Sequence, residues 1–202
     1  MLLEAKNISF RYGKDTRQIL EDFSLSLESH ERVGIIAPSG FGKTTFCKIL
    51  AGYEKADSGE VLLDGKTLDS YQGYCPIHMI WQHPEQVVNP RLHMRKVLEE
   101  GQEIEERIIH GLGIEDDWMN RYPGELSGGE LQRFCIARAL GKGTKFILAD
   151  EITTMLDLIT QSQLWSFLMK EVQEREIGLL AVSHHMPLMQ SICTRMVELD
   201  KK

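Results

Sequence analysis

Leu126-Ser127-Gly128-Gly129-Glu130 is the stretch on which the fold turns, because of what flanks it. Upstream stands Ala37-Pro38-Ser39-Gly40-Phe41-Gly42-Lys43-Thr44, a glycine loop between an apolar run and a helix-like run. Downstream stands Phe146-Ile147-Leu148-Ala149-Asp150-Glu151, an apolar strand that ends in two acids. Gly40 and Gly42 let the backbone turn tightly, so that successive N–H groups point into one concavity against the positive end of the following helix. That is the chemistry of a phosphate cradle, with Lys43 placed to reach the β- and γ-phosphates and the Thr44 hydroxyl to coordinate Mg²⁺. The loop pattern calls for glycine at its first position, where this chain has Ala37. A methyl group fits there if φ is negative, so a modest weakening at most is expected.

The bulk properties suit an engine that works in water. At 202 residues the chain holds one sizeable core, and 42% hydrophobic residues is ordinary for a globular fold. No apolar run approaches the roughly 20 residues that span a bilayer. Met1-Leu2-Leu3-Glu4-Ala5-Lys6 has no basic region followed by an apolar core, so no secretory leader is predicted. A formal charge of -7 speaks against a dedicated nucleic-acid binder, which carries a basic face. Cys47, Cys75, Cys135 and Cys193 are scattered without metal-ligand spacing and read as reduced thiols, which fits a cytoplasmic compartment.

Alternating apolar runs at Leu3–Phe10, Ile19–Leu27 and Glu60–Leu63, separated by Tyr12-Gly13 and Asp64-Gly65 turns, predict an N-terminal antiparallel β layer. Within it, Arg32–Ala37 reads as a short buried strand running into the glycine loop, and Thr44–Leu50 as a helix stopped at Ala51-Gly52. Between Pro84 and about Gly124 the character changes. Leu92–Glu106 and Glu105–Leu112 carry helical spacing with many acids, which predicts a small helical subdomain over 84–125 inside a single domain of 1–202. Helix and strand then alternate: Glu130–Ala139, Lys145–Asp150, Gln161–Gln173, Gly178–Ser183, Pro187–Ile192 and Met196–Leu199. Such alternation predicts parallel strands with crossover helices, and hence an α/β fold with a mixed sheet core.

Asp150 ends its strand at the edge where open α/β sheets bind ligands, and there it can hold Mg²⁺ through water. Glu151 is placed to polarise an attacking water as general base. A solvated acid pair closing a strand is the plainer alternative. Ser127-Gly128-Gly129 precedes the periodic run Leu131–Leu140 and so forms a helix N-terminus, whose free N–H groups and serine hydroxyl make a second anion site. An ordinary serine cap is also consistent with that serine.

Taken in order, these elements resemble the ATP-binding cassette (ABC) ATPases, of P-loop NTPase fold, which power membrane transporters. The resemblance runs from Tyr12 to His184. It implies an ATP site on Ala37, Pro38, Ser39, Gly40, Phe41, Gly42, Lys43, Thr44 and Thr45, with Tyr12 stacking on adenine. It implies that Gln82 meets Mg²⁺ with Thr44 and Asp150 and senses a transmembrane partner. Ser127, Gly128 and Gly129 would close over the γ-phosphate held by a second cassette, so that ATP is sandwiched between protomers. Glu130 stands where the family usually has glutamine, adding charge near phosphate. Thr154-Met155-Leu156-Asp157 matches the loop that touches the opposite protomer, although Asp157 also reads as a helix cap. His184 matches the histidine that contacts the γ-phosphate and orients Glu151 and water. His185 is its rival, and His184 is favoured because it directly follows the strand.

Gln82-His83-Pro84 with Asn89-Pro90-Arg91-Leu92 is similar to the cassettes of bacterial peptide and nickel importers. The resemblance therefore implies a homo- or heterodimeric ATPase on the inner face of the cell membrane, touching the membrane only through permease subunits, with no nucleic-acid partner. Those importer cassettes continue past the last strand, whereas this chain stops at Lys202. A soluble cassette of translation or DNA repair, or one that senses ATP with little turnover, are the alternatives.

Overall fold

The computed structural model describes residues 1–13, 17–153 and 156–199. Two sheets organise them. The first has the order β2-β1-β4-β5 and is antiparallel: β1 (Leu2–Phe10) lies between β2 (Leu20–Glu28) and β4 (Ser58–Leu63), with β5 (Lys66–Thr67) closing a hairpin on β4. The second is parallel, in the order β6-β7-β8-β3-β9, formed by β3 (Arg32–Ile36), β6 (Ile77–Ile80), β7 (Phe146–Asp150), β8 (Gly178–Val182) and β9 (Arg195–Glu198). The expectation that β3 belongs to the antiparallel layer is therefore corrected. A strand buried on both faces reads the same in either sheet, and only its partners, β8 and β9, assign it.

The parallel sheet divides the interior. Because side chains alternate along a strand, Ile147, Ala149, Leu179 and Ala181 face one apolar cluster while Phe146, Leu148, Leu180 and Val182 face another. The second cluster holds α1 (Lys43–Leu50) and the antiparallel sheet. The first holds α4 (Gly128–Ala139), α5 (Leu158–Glu174) and α6 (Met186–Ile192), with Met94, Val97, Ile108, Leu112, Trp118 and Met119 from the helical segment. That segment thus shares its core with the parallel sheet.

Helix boundaries moved for physical reasons. The run expected as one helix over Leu92–Glu106 ends at Glu99 as α2 (Met94–Glu99), and α3 is Glu106–Gly111. Between them the chain pairs with the loop before β7: Lys142 N–H donates to the Glu103 carbonyl at 3.2 Å, and Gly143 N–H donates to the Gln102 side chain. Acidic residues at helical spacing do not reveal such a tertiary competitor. α5 starts three residues before the expected Gln161 because the Asp157 carboxylate accepts from the N–H groups of Ile159 and Thr160, at 3.0 and 2.9 Å. Leu158 and Ile159 are exposed, so the apolar stripe does not extend to the cap. β5 and β6 were not expected; both are short.

Candidate active site

Residues 37–42 leave β3 and enter α1 through two left-handed glycines, Gly40 at φ 77° and Gly42 at φ 92°. Among the described residues the non-glycines with positive φ are Asn7, Asp22, Asp64, Glu151 and Glu176, so Ala37 sits in a conformation open to a methyl group. Gly42 has a further constraint, since a Cβ there would lie 2.7 Å from Ile19 Cγ2. Pro38, Ser39 and Gly40 are exposed, and Phe41 N–H donates to the Pro38 carbonyl at 3.3 Å. α1 opens with no side-chain cap and no acid in its first turn, so its orphan N–H groups and positive dipole end face whatever fills the loop. Lys43 is only 6% exposed and donates to the carbonyls of Ala37 and Pro38 at 2.8 and 3.0 Å. Burial lowers its pKa, while Glu151 and Asp150 pull it back up.

Asp150 lies at the C-terminal end of β7, 2% exposed, and among the described residues its Oδ1 has no hydrogen-bond partner. Burial pushes its carboxyl above the usual range. The Thr44 hydroxyl that bonds it, together with Lys43 and Lys48, acts against the rise, and Glu151 adds to it. A buried carboxylate oxygen left without a partner is costly unless a cation satisfies it. The next residue, Glu151, leaves the strand at φ 49°, a left-handed conformation unusual for a glutamate, with its N–H held by the Val182 carbonyl at 2.9 Å. Its carboxylate is gripped from two sides: Oε1 is 2.8 Å from His184 Nε2, and Oε2 accepts from Gln82 Nε2 at 3.2 Å. β6, β7 and β8 are neighbours in the sheet, so the chain segments that follow them carry these three side chains to one edge. His185 instead takes the N-cap position of α6, its N–H donating to Ser183 Oγ at 3.1 Å.

The remaining residues gather elsewhere. Ser127 caps α4 in a reciprocal box: Glu130 N–H donates to Ser127 Oγ at 3.3 Å, and Ser127 N–H donates to Glu130 Oε2 at 2.7 Å. Among the described residues no hydrogen bond joins Ser127, Gly128 or Gly129 to the loop at 37–44. Their neighbour is Leu156, whose Cδ2 would lie 3.1 Å from a Cβ on Gly129. Asp157, beside it, caps α5, and its carboxyl is held below the usual range first by the Thr160 hydroxyl. Thr154 and Met155 lie outside the described residues.

Sequence reasoning missed two parts of this arrangement. One is the capping box, although Ser127 with Glu130 three residues later was the signal for it. The other is Gln132, a buried side chain that donates to the Trp81 carbonyl at 3.2 Å and so braces the residue before Gln82. Nothing in the spacing pointed to that contact.

The ABC transporter family description matches residues 20–154. The oligopeptide transport ATP-binding protein OppF of Streptococcus mutans is 29% identical over 216 residues, covering 96% of this chain and 70% of that protein. The nickel import ATP-binding protein NikE of Escherichia coli is 30% identical over 224 residues, covering 98% and 84%. A dimeric ATP-binding cassette solved in a post-hydrolysis state with ADP and Pi superposes with a TM-score of 0.83 at 25% identity, covering 98% of this chain and 94% of that one. Similarity that runs through both the loop at 37–44 and the acids at 150–151 is decisive: the chain belongs to the ABC transporter family, as an ATP-binding cassette of the ATPase kind.

Proposed function

We propose that this cassette hydrolyses ATP as the motor of a bacterial importer of the peptide or nickel type. The grip of His184 and Gln82 on Glu151 is the observation that carries the reading. In it, Glu151 accepts a proton from water as that water attacks the γ-phosphorus. The new P–O bond forms as the bond to the β-phosphate oxygen breaks, releasing ADP and phosphate. His184 orients the carboxylate, Lys43 turns from the loop carbonyls to the β- and γ-phosphates, and Tyr12 takes the adenine. The Thr44 hydroxyl, Gln82 and the unpartnered Asp150 Oδ1 suit Mg²⁺, which favours few protein oxygens alongside phosphate and water. When bound, Mg²⁺ supplies charge neutralisation at the phosphate oxygens.

Ser127, Gly128 and Gly129, away from this chain's own loop, fit a role in closing over the nucleotide of a second cassette, with Asp157 at the same seam. Residues 84–125 act as the helical subdomain that, with Gln82, meets permease subunits. Attachment to the inner face of the membrane through those subunits is part of the same reading; among the described residues no helix is long and apolar enough to cross a membrane.

The test is ATP-driven dimerisation of Glu151→Gln, followed by light scattering, together with capture of tagged protein from detergent-solubilised membranes. A dimer that forms only with ATP, and recovery of a polytopic permease, are expected. A monomer at saturating ATP with no second cassette among the captured proteins would overturn the sandwich, and recovery of ribosomes or repair factors alone would overturn the transport reading.

A further inference from the structure

Tyr12 follows β1 in a fixed attitude. Its ring meets Phe10 edge-on, with centroids 4.8 Å apart and planes at 90°. Its phenol oxygen lies 3.1 Å from Thr45 Oγ1. Thr45 belongs to the first turn of α1 and is 6% exposed, whereas Tyr12 is 53% exposed. A half-open tyrosine would ordinarily sample several rotamers. This one is held at two points, on Phe10 at the end of β1 and on the helix that follows the phosphate loop, while more than half of it remains open to a ligand.

Taking the ATP-site reading as its basis, we propose that Thr45 is a positioning residue for Tyr12: its hydroxyl anchors the phenol and so sets the ring as the wall for the nucleotide's base. The hydroxyl inventory permits this while the phosphates are bound. A threonine hydroxyl has one proton to give and lone pairs to receive. Phosphate oxygens only accept, so beside a phosphate the Thr45 proton points to the ligand and the Tyr12 phenol donates to Thr45. Base and phosphate recognition then share one side chain, fixed in α1. A ring already in place loses less freedom on binding than one that must be ordered.

The experiment uses the full chain and compares equilibrium binding of a non-hydrolysable ATP analogue with that of inorganic tripolyphosphate, by calorimetry. Tyr12→Phe keeps the ring and removes only the hydroxyl. It is expected to weaken the analogue about two- to tenfold, the range of one net hydrogen bond, and to leave tripolyphosphate unchanged. Thr45→Val is expected to weaken the analogue more than tripolyphosphate, and Thr45→Ser to restore it. The double variant Tyr12→Phe with Thr45→Val should bind the analogue no more weakly than Thr45→Val alone. Wild-type affinity in Tyr12→Phe, or effects that multiply in the double variant, would overturn the anchor. So would a Thr45→Val loss that is equal for both ligands, which marks a phosphate contact only. Tyr12→Ala tests the underlying reading separately, with an expected loss of about five- to a hundredfold for the analogue alone. No loss there would remove the base platform itself.

Discussion

Two helices of this cassette begin beside glycines, and their first turns are completed in opposite ways. α1 follows Gly42 with no side-chain cap and no acid in its first turn, and the nearby Asp150 keeps a buried oxygen without a partner among the described residues. α4 follows Ser127, which trades hydrogen bonds with Glu130, so that the N–H groups of Ser127 and Glu130 are held by side chains of the same turn. The first end is poised for a ligand at a cost in stability, while the second is stable without one. Function and stability are therefore expected to trade against each other at α1 and to run together at α4.

The largest effect tests the chemistry at the α1 end. Glu151→Gln should lower steady-state phosphate release about 10²- to 10⁴-fold while ATP still binds. Unchanged release would take Glu151 out of the role of base. Next come the glycines. Gly42→Ala places a Cβ 2.7 Å from Ile19 Cγ2 at φ 92° and should cost about 1–3 kcal/mol in urea unfolding. Gly128→Ala meets nothing within 4 Å and has no positive φ, so it should be neutral or stabilising by up to about 1 kcal/mol. Equal destabilisation by the two would break the comparison.

Asp150→Asn should raise stability by about 1–2 kcal/mol while impairing turnover, because it removes a buried charge that lacks a full set of partners. The pH dependence has a fixed sign. A carboxyl whose folded pKa is raised holds its proton to higher pH than in the unfolded chain. Its stabilising contribution is fully present below the unfolded pKa and is lost as pH rises through the folded one. The melting temperature of the wild type should therefore fall across that window relative to Asp150→Asn. Parallel pH profiles would refute this.

At the α4 end, Ser127→Ala should cost about 1 kcal/mol through loss of the cap, read as a shifted denaturation midpoint. No shift would mean that the box contributes nothing. Smallest is Ala37→Gly, expected to cost about 0.4–1 kcal/mol through the freer unfolded chain and to leave ATP affinity unchanged, since Ala37 needs no positive φ. A marked gain in affinity would show that the methyl group obstructs the loop.

Much of the fold was legible because local patterns agreed with it. The runs that became β1, β7 and β8 alternate or are continuously apolar, and the glycines of the 37–42 loop announce its left-handed turns. What escaped depended on partners distant in the chain. β6 is four residues long and is defined by its register with β7. α2 stops short because residues 102 and 103 are taken by the 142–143 loop.

Residue types and spacing by themselves determined that this chain carries a phosphate loop, an acid-ended strand and a serine-glycine helix start, because each is a local device of backbone conformation and a few side chains. Only the tertiary structure decided that β3 joins the parallel sheet, that His184 rather than His185 reaches Glu151, and that Tyr12 rests on Thr45. Such choices are set by which strands lie side by side and which hydrogen bonds remain unfilled, and those are properties of the packed molecule.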